Sequence, residues 1–579
     1  MEGKKTMKPN KHNEEKLAIL RHSTAHLLAQ AVTELFPKTK LTIGPSTKDG
    51  FFYDLLPETN FKESDLPLIE SKMKELAAKN YPITHEEISK DAARKMFKDN
   101  PFKLELIEGI PGDTVGLSRQ GDFADLCRGG HVASTGELQH FLLTGLSGSY
   151  WRADQTKAAL QRFSGTAFFT EQDLQQYLQQ KELAALYDHR KLGKEMDLFS
   201  FQEEGTGFPF YHPKGAFVIN KLKEYIRNIW THNGYHEIIT PTILDVALWK
   251  QSGHYDHYKK HMYFSTIENK EYAIKPMNCP GSILIYKQNL HSYKELPLRL
   301  AEFGHVHRYE LSGVLHGLFR VRAFTIDDTH MYCAPEQIEK QIISSIATIE
   351  KVLTTFGLGN IHYAVSTKPE NAIGSEQLWN TAIDALKNGL TKAGKEFEIY
   401  EGEGAFYGPK IEITIHDSMG RAWQCSTLQA DFFMPQNFDV YYINNKGEKQ
   451  HPVILHQALL GSMERFFGII LENFKGHLPF WLCPTQIKVI PITDKQLDYA
   501  NEIAKTLQSH NLRVEVNDSN EPLSAKIKVA QLEKIPWMIV VGQKEQDAKT
   551  VTLRLADGKQ EMGLTLDTIC NRANEMNKP

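Results

Sequence analysis

The cysteine in the segment KPMNCP, residues 275–280, has no second cysteine near it in the sequence with which to pair. Three kinds of role are open to such a residue. It is a small buried hydrophobe, a nucleophile, or a metal ligand whose partners lie far away along the chain. The local sequence does not choose among these roles, so the partners of Cys279 must be supplied by the fold.

Two pairs of residues nearer the N-terminus have the spacing of metal ligands. His22 and His26 are four residues apart in a helical pattern and share one face, and Cys127 and His131 are four apart in DLCRGGHVASTG. Together they would complete a tetrahedral zinc set. Because the chain has 24 histidines, packing of one or both pairs is the alternative. Spacing also does not distinguish a metal site from a substrate site.

Arginines gather in a second region, residues 300–330. The segment LAEFGHVHRYELSGVLHGLFRVRAFTIDDTH predicts two strands around a turn at LSGVLHG, with Arg320 and Arg322 on one face of the second strand and Arg308 on the first. Their forked donors suit phosphate, and a solvated face of an edge hairpin is the alternative. Arg465 is expected in the first turn of an amphipathic helix, where a bound phosphate would compensate its unfavourable position in the helix dipole.

Secondary-structure elements must position these residues. The first group of elements is predicted to form an α+β domain over residues 1–168. A lysine-rich tail, 1–13, carries no predicted structure. A helix is predicted over 14–37, where Pro37 stops it, and short strands and a charged helix near 64–79 follow. The histidine pair therefore lies on the first helix.

Three further segments follow the α+β domain. Residues 169–192 are polar and predict a linker helix, and residues 193–484 predict a mainly antiparallel sheet with flanking helices. Residues 485–579 predict a small α/β domain with the parallel strands IKVIPI, RVEVND and WMIVVG. The clearest patterns of the middle segment are strands over 298–310, 406–417 and 452–456 and a helix over 336–356.

Length and composition limit the classes of protein. At 579 residues the chain has room for about three or four domains. It has no run of about 18 apolar residues and no secretory signal at its charged start, so we expect no membrane association. Six scattered cysteines without a CxxC pair suit a reducing compartment and predict a cytoplasmic protein. The formal charge of −4 gives no support for a nucleic-acid partner, although a local basic surface would suffice for one.

Three motifs, in chain order, resemble motifs 1, 2 and 3 of the class II aminoacyl-tRNA synthetases. They are HNGYHEIITP at 232–241, RYE at 308–310 with its loop and returning strand, and GSMERF at 461–466. Longer strings resemble the threonyl-tRNA synthetases specifically, and the resemblance extends over nearly the whole chain, from HSTAHLL to VTLRLADG. These strings are KPMNCPGS, SGVLHGLFRVRAFTIDDTH, GEGAFYGPKIE, RAWQCSTLQADF and ILHQALLGSMERF.

The resemblance implies an α+β multidomain enzyme. It has an α+β editing domain at 1–168, a class II catalytic core with an antiparallel sheet at 193–484, and a C-terminal α/β anticodon-binding domain at 485–579. Such an enzyme converts L-threonine and ATP to threonyl-adenylate and pyrophosphate, with magnesium bridging the pyrophosphate oxygens, and transfers threonine to the terminal ribose of tRNA(Thr). By resemblance, catalysis is expected from Arg308, Arg465 and Lys410, and ATP binding from Arg308, Glu310, Arg320, Phe324, Gln424 and Arg465.

In the same family, Cys279, His330 and His456 would hold one zinc ion per chain, and their separations match no local zinc-finger spacing. One thiolate and two imidazoles leave an open position, as a catalytic zinc requires. Threonine would bind there through its amino and hydroxyl groups. The residues expected around it are Asp328, which would accept from the hydroxyl, Tyr407 and Gln429.

A site of this kind rejects valine, which has no hydroxyl, better than serine, which lacks only a methyl group worth about 1–3 kcal/mol. The family therefore hydrolyses seryl-tRNA in its first domain. The resemblance assigns this metal-free reaction to His22, His26, Cys127 and His131, with Lys103 and Asp125 in support.

Further expectations concern the assembly and two unusual positions. Glu545 and Arg554 would lie on the tRNA-facing surface of the last domain, and motif 1 would form a homodimer. Ile326 departs from the usual TQDDAH pattern, and Ser282 stands where histidine is expected after PG. The small extra domain that precedes the editing domain in many bacterial members is expected to be absent, because the first predicted helix begins so early.

Three alternatives remain open at this point. The chain is a class II synthetase for serine or proline, a metal-dependent hydrolase built on the HxxxH and CxxxH pairs with a tRNA-binding scaffold, or a paralogue that only binds RNA. The combination of Asp328 with Cys279, His330 and His456 argues against the first. The retained arginines argue against the last.

Overall fold

The computed structural model describes residues 11–154 and 156–579, with the backbone alone for residues 11 and 12. The chain divides into two compact units, Met1–Glu182 and Leu183–Pro579. The predicted tail at 1–13 lies mostly outside the described residues, and its last three residues are helical. Within the described part of the chain, no helix is long and apolar enough to cross a membrane.

The first unit packs a long helix and several short ones on two antiparallel sheets. Its elements are α1 (Lys11–Leu35), β1 (Lys40–Leu41), β2 (Phe51–Leu56), α2 (Leu66–Ala78), β3 (Ile83–Ser89), α3 (Lys90–Met96), α4 (Pro101–Gly109), β4 (Thr114–Gln120), β5 (Phe123–Leu126), β6 (His140–Tyr150), β7 (Ala159–Phe168) and α5 (Glu171–Leu186), which crosses the unit boundary. The sheet orders are β1-β2-β7-β6 and β3-β4-β5. The helical spacing of apolar residues buries Leu20, Leu27 and Val32 of α1 in the core, and Pro37 prevents its continuation.

The second unit begins with a sheet-and-helix core. Its elements are α6 (His189–Glu195), β8 (Phe199–Phe201), β9 (Pro209–Tyr211), α7 (Pro213–His232), β10 (His236–Glu237), β11 (Ile243–Asp245), α8 (Val246–Gln251), α9 (His254–Tyr258), β12 (Tyr263–Ile267), β13 (Lys270–Ile274), α10 (Cys279–Tyr286), β14 (His291–Ser292), β15 (Leu298–His307), β16 (Ala323–Cys333), α11 (Ile338–Thr355), β17 (Ile361–Ser366), α12 (Glu376–Lys392), β18 (Phe397–Tyr400), β19 (Lys410–His416), β20 (Ala422–Asp431), α13 (Met434–Asn437), β21 (Tyr442–Ile443), β22 (Lys449–Gln450), β23 (Val453–Ser462) and α14 (Met463–Asn473). The predicted linker helix is two helices, α5 and α6, because Asp188 caps a new helix by accepting from the backbone N of Arg190.

An eight-stranded sheet, in the order β10-β15-β16-β23-β20-β19-β17-β18, organises this core. Its pairs are antiparallel except β10 with β15 and β17 with β18, which agrees with the predicted pattern. Helices α11, α12 and α14 pack against the sheet and share its apolar core. Since side chains alternate along a strand, Met331 and Leu455 enter this core while His330 and His456 face the opposite side.

The predicted hairpin around residues 308–322 is wrong in one respect. Residues of β15 and β16 pair as far as His307 and Ala323, and the backbone N of Arg308 then donates to Arg322 O at 2.9 Å. The chain between these arginines leaves the sheet and forms two short 3-10 helices, Ser312–Val314 and Gly317–Phe319. Arg320 and Arg322 therefore lie in a loop and not on a strand face.

The C-terminal part of the second unit is a smaller α/β domain. Its elements are β24 (Ile487–Pro491), α15 (Leu497–Ser509), β25 (Val514–Val516), α16 (Leu523–Leu532), β26 (Trp537–Val541), α17 (Gln543–Ala548), β27 (Val551–Leu555), β28 (Gln560–Leu564) and α18 (Leu566–Met576). The three predicted strands are parallel neighbours in the order β25-β24-β26. Strands β27 and β28, which the sequence pattern did not predict, extend the same sheet in the antiparallel direction.

Candidate functional site

The register of four neighbouring strands brings polar residues from distant parts of the sequence into one row. Lys410 of β19 pairs with Gln429 of β20, Gln429 with His456 of β23, and His456 with His330 of β16. Directly paired residues of antiparallel strands point to the same face of the sheet. The row therefore crosses the face opposite the helices and is the floor of a candidate site.

Cys279, the first residue of α10, joins the two histidines of this row. Its sulfur and one ring nitrogen from each of His330 and His456 all lie within 4.8 Å of one another, and all three residues are buried. Among the described residues, neither ring nitrogen of His330 has a hydrogen-bond partner, nor does Nδ1 of His456. Because buried polar atoms are normally hydrogen-bonded or bound to an ion, these three nitrogens are available to a metal. One thiol and two imidazoles fit zinc and leave a coordination position open.

The surroundings of the three residues tune their charge. Burial raises the pKa of the Cys279 thiol and lowers the pKa of His330 to about 4. Burial also opposes protonation of His456, but the neighbouring Cys279 and Asp431 outweigh it and raise that pKa well above its usual value. The Nε2 atom of His456 lies 3.1 Å from Oδ2 of Asp431. A carboxylate in this position orients an imidazole for metal binding.

Asp328 stands two residues before His330 on the same face of β16. Its Oδ2 accepts a hydrogen bond of 3.0 Å from Nδ2 of Asn278, the residue that precedes Cys279. A Cβ atom at Gly304 of β15 would lie 2.1 Å from this asparagine, so only glycine leaves room for it. The amide and the carboxylate are thereby fixed beside the metal-ligand candidates.

The other two residues predicted near threonine lie close to the same cluster. The ring of Tyr407, which is buried, lies 5.8 Å from that of His456, centroid to centroid. Gln429, adjacent to His456 in the row, donates from Nε2 to Gly408 O at 3.0 Å. The structure therefore brings Asp328, Tyr407 and Gln429 to one place.

Three arginines converge from the loop and from α14. Arg308 lies with its guanidinium carbon 5.0 Å from the ring centroid of Phe324, and Arg320 pairs with Glu310 at 3.0 Å. Arg465, in the first turn of α14, donates from Nε to Phe319 O at 3.1 Å. Partial burial and then the charges of Arg308 and Arg320 lower the pKa of Arg465. A cluster of cations at a helix N-terminus favours a polyanionic ligand.

Two of the residues predicted for catalysis and ATP binding, Lys410 and Gln424, make no contact with the three arginines among the contacts described. Lys410 makes an ion pair of 2.8 Å with Glu412 on its own strand. Gln424 is exposed on β20, opposite Thr414 at a register shift in the β19–β20 pair. Lys410 thus lies in the polar row, whereas the side chain of Gln424 faces solvent.

A second candidate site lies in the first unit. His22, His26, Cys127 and His131 form a cluster with ligand atoms within 4.8 Å of one another. The Nε2 atoms of His22 and His131 lie 3.2 and 3.1 Å from Cys127 Sγ, and the ring of His26 lies 4.6 Å from that of His131. The two predicted pairs therefore meet at one thiol.

Backbone and serine contacts determine which nitrogens of this cluster carry hydrogen. His22 Nδ1 lies 3.2 Å from Gly44 O, which only accepts. Ser23 donates its hydroxyl hydrogen to Ile19 O, so His131 Nδ1, 3.1 Å from Ser23 Oγ, must donate to it. Both rings then turn Nε2 toward Cys127, whose single thiol hydrogen can be donated to only one of them at a time. Burial opposes ionisation of this thiol, but its contacts with His131 outweigh that effect and lower its pKa.

The predicted Lys103 and Asp125 form a buried ion pair in the same unit. The hydroxyl of Tyr53 donates to Asp125 and lies 3.3 Å from Lys103 Nζ. Burial, and then the charge of Asp125, raises the pKa of Tyr53 well above its usual value. This tyrosine remains a neutral donor.

The predicted anticodon residues have structural partners. Glu545 accepts hydrogen bonds of 2.9 Å from the backbone N of Gly542 and from Thr552 Oγ1, so it caps the start of α17. Arg554 is partly buried on β27, and its Nε has no hydrogen-bond partner in the part of the chain that the structure describes. The Nε atom of Arg554 is thus buried and unpaired among the described residues, whereas the Glu545 carboxylate already accepts two hydrogen bonds.

Three protein-family models match separate parts of the chain. Residues 115–164 match the threonyl and alanyl tRNA synthetase second additional domain, 262–474 the tRNA synthetase class II core domain (G, H, P, S and T), and 486–575 an anticodon binding domain. A threonine–tRNA ligase of Clostridium tetani is 49% identical over 545 residues, which cover 94% of this chain and 85% of that protein. The chain belongs to the threonine–tRNA ligase family.

Other members of the threonine–tRNA ligase family agree with this assignment. The enzyme of Acetivibrio thermocellus is 48% identical over 558 residues, covering 96% of this chain and 88% of that protein. A solved structure titled as the RNA binding domain of threonyl-tRNA synthetase from Cryptosporidium parvum is 40% identical with a TM-score of 0.65, and covers 68% of this chain and 99% of that one. A putative threonyl-tRNA synthetase of Aeropyrum pernix is 30% identical with a TM-score of 0.61, covering 67% and 95%. The fold class and enzyme class expected from the sequence are confirmed.

Several residues of this threonine–tRNA ligase family member that support the two sites were missed from the sequence. Asp327 accepts from the backbone N atoms of Leu459, Leu460 and Gly461 at 2.8–3.0 Å, and so fixes the end of β23 before Arg465. The sequence sign of Asp327 was the pair of adjacent carboxylates in IDDTH. Neighbouring residues of a strand face opposite sides, so one of the two had to point away from the threonine site. The other missed residues are Ser23, Tyr53, Asn278, Asp431 and Glu464.

Proposed function

We propose that the chain activates L-threonine with ATP and transfers it to the terminal ribose of tRNA(Thr), with one zinc ion per chain held by Cys279, His330 and His456. The observation that carries this proposal is that the two histidines of the row lie beside Cys279 and Asp328, while Arg308 donates from Nε to Pro276 O at 3.3 Å, three residues before Cys279. Amino-acid recognition and phosphate binding would then share one face of the sheet. Family membership supports the same reaction.

A bound zinc would act as a Lewis acid toward the amino and hydroxyl groups of threonine. Asp328 would accept the hydrogen of that hydroxyl, and Asn278 would hold the carboxylate in place. Tyr407 and Gln429 would close the pocket around the side chain. A buried acceptor left without a partner rejects valine strongly, which explains selection for the hydroxyl.

The arginines would act by positioning and by charge. Arg308 would bind the α-phosphate and stabilise the charge that develops there when the threonine carboxylate attacks, while Arg320 and Arg465 would hold the outer phosphates. Phe324 would stack on adenine, and Glu310 would help to place the base. Magnesium would accompany the ATP phosphates, as it does generally in such reactions. Lys410, which pairs with Glu412, and Gln424, which is exposed, would complete this set from the neighbouring strands.

The first unit would hydrolyse seryl-tRNA made in error. Cys127 with the Nε2 atoms of His22 and His131, and with His26 beside them, offers acceptors that can orient water against an ester. Lys103 and Asp125 would support the site through Tyr53. We propose, as the family resemblance implies, that this cluster works without a metal.

The proposal also includes contact with the tRNA anticodon and the formation of a homodimer. Arg554 and Glu545 would lie on the tRNA-facing surface of the last domain, where single-stranded bases are read by hydrogen bonding and stacking. Motif 1 would form a homodimer, and the 91% exposure of Ile239, with that of Ile243, supports burial against a second copy. The six cysteines are free among the described residues, which suits the cytoplasm.

The test is ATP–pyrophosphate exchange with a panel of amino acids. Exchange that depends on threonine, with weaker exchange on serine and none on valine or proline, is the expected result. Exchange with proline, or none with threonine, would refute the proposal. Hydrolysis of seryl-tRNA without any exchange would instead favour a hydrolase built on the cluster of the first unit.

A further inference from the structure

A buried histidine that none of the proposed roles uses contacts the loop of the ATP-binding arginines. His189, the first residue of α6, is completely buried, and its Nε2 lies 3.0 Å from the backbone N of Leu318. Its Nδ1 lies 2.6 Å from Oε1 of Glu472. One imidazole thus joins α6, the loop and α14.

These contacts determine the tautomer of His189. The backbone N–H of Leu318 can only donate, so Nε2 accepts and Nδ1 carries the hydrogen that goes to Glu472. Both ring nitrogens are therefore engaged within the protein. The grouping of Asp188, His189 and Glu472 has the residue types of a metal site, but its imidazole is already occupied.

Glu472 is a firm anchor for this imidazole. Its Oε1 also accepts from the backbone N of His189 at 2.8 Å, and its Oε2 lies 2.6 Å from a guanidinium nitrogen of Arg421. It stands in the last turn of α14, the helix whose first turn carries Arg465. His189 is therefore fixed to the same helix that presents a phosphate-binding arginine.

The loop is built to receive the imidazole. Gly317 has φ +47°, and a Cβ there would lie 2.1 Å from His189 Nε2, so the approach requires glycine. The ring of Phe319 lies 4.1 Å from that of His189, and its carbonyl accepts from Arg465. Arg320 is the next residue. The turn Gly317–Phe319 is thus held on one side by His189 and on the other by Arg465.

We propose that His189 is a positioning residue for ATP, which fixes the Gly317–Phe319 turn so that Arg320 and Arg465 meet the outer phosphates together. This proposal rests on the proposed function, since it assigns those arginines to ATP. Loss of the Nε2 acceptor leaves the buried N–H of Leu318 without a partner, and the turn then moves to reach water. We therefore expect weaker binding of ATP and unchanged binding of threonine, because other elements form the threonine pocket.

Two substitutions distinguish the hydrogen bond that His189 makes to Leu318 from the one that it makes to Glu472. In His189→Gln the side-chain oxygen can take the place of Nε2 and accept from Leu318, whereas in His189→Asn the shorter amide can reach Glu472 but not the loop. We expect His189→Asn to raise the KM for ATP in threonine-dependent exchange about tenfold, and His189→Gln to restore most of it. The KM for threonine and the zinc content should stay at the wild-type values in both.

A glycine pair in the same loop provides the second measurement. Gly317→Ala should raise the KM for ATP in the same way, because its methyl group displaces the turn from His189. Gly313→Ala is the matched control, since nothing in the described part of the chain lies within 4 Å of its Cβ position. If His189→Asn does not fold, this pair decides the question.

The outcomes are distinct from those of the proposed function. Absence of threonine-dependent exchange in the wild-type protein would overturn the proposed function itself. Normal exchange in the wild type, with equal effects of His189→Asn and His189→Gln or equal changes in the KM for ATP and for threonine, would overturn only the role of His189. An unchanged KM for ATP in Gly317→Ala would also overturn it.

Discussion

Asn278 and Cys279 are neighbours in the chain, yet they serve different parts of one pocket. Asn278 donates to Asp328, which we assign to the threonine hydroxyl, and Cys279 lies among the imidazoles that we assign to zinc. Both side chains leave the same turn at the start of α10. At this scale, recognition of the amino acid and binding of the metal are separable by single substitutions.

Zinc content distinguishes the two cysteine–histidine clusters. We expect one zinc per chain in the purified protein, lost in Cys279→Ala because one of three buried ligands is removed, and retained in Cys127→Ala. Metal analysis by mass spectrometry measures both variants, with circular dichroism as the control for folding. Loss of zinc from Cys127→Ala and its retention in Cys279→Ala would reverse the assignment.

Glu464, which follows the N-cap Ser462 of α14, is a buried carboxyl that accepts from the backbone N of Thr325 at 2.9 Å. Burial raises its pKa from 4.5 to about 7. The folded state therefore binds this proton more tightly than the unfolded state. The stabilising contribution is complete below about pH 4.5 and is lost as pH rises through about 7.

Glu464→Gln should abolish this pH dependence, because glutamine stays neutral and keeps an acceptor for Thr325. Relative to the variant, the wild type should lose stability between about pH 4.5 and 7, by up to about 3 kcal/mol. Thermal or denaturant unfolding at several pH values measures the difference. Glu204→Gln, at an exposed carboxyl, is the control, and a parallel pH profile for Glu464→Gln and the wild type would contradict the assignment.

At the scale of elements, apolar periodicity predicted those helices whose bounds are determined by the local sequence. The first helix ends near Pro37 and the helix predicted over 336–356 appears as α11, because their apolar spacing and stop signals are local. The zinc candidates could not be joined by spacing, because His330 and His456 meet through strand register and Cys279 joins them from the start of α10. The resemblance of whole strings to a known family supplied that grouping.

The loop at 308–322 was misjudged for a physical reason. Alternating polar and apolar residues in LFRVRAF read as one continuous strand, but pairing to β15 ends at Ala323. Before that point, Arg322 donates to Glu310 O and Arg320 pairs with the Glu310 carboxylate. Side-chain contacts within the loop replace the ladder, and alternation alone contains no sign of this.

Gly304 of β15 is an element-scale requirement of the threonine pocket. In Gly304→Ala the new methyl group would collide with Asn278, which would withdraw from Asp328. We expect the KM for threonine to rise by at least about tenfold, with a smaller change in the KM for ATP. Exchange kinetics with each substrate varied in turn measure this.

Gly359→Ala is the control for Gly304→Ala, because within the described ranges nothing lies within 4 Å of the Cβ position of Gly359. It should leave both KM values unchanged. An equal rise in the KM for ATP and for threonine in Gly304→Ala would indicate a general disturbance of the sheet. That result would remove the specific role that we give to Asn278.

For the whole molecule, the decisive feature is that the two clusters lie in different compact units. His22, His26, Cys127 and His131 belong to the unit that ends at Glu182, and the row with Cys279, His330 and His456 belongs to the other. The two units have separate hydrophobic cores. A substitution in one cluster should therefore impair its own reaction, aminoacylation or editing, and leave the other reaction unchanged.

His26→Ala and Cys279→Ala test this independence in opposite directions. His26→Ala should leave threonine-dependent exchange and threonylation at wild-type rates, while seryl-tRNA accumulates, because only the first cluster loses a ring. Cys279→Ala should lose charging by a large factor yet still hydrolyse seryl-tRNA that is supplied ready-made. Rates of charging and of deacylation, measured on the same preparations of both variants and the wild type, complete the comparison. If His26→Ala clears seryl-tRNA as fast as the wild type, the first cluster is not the editing site; if Cys279→Ala loses deacylation along with charging, the two units do not act separately.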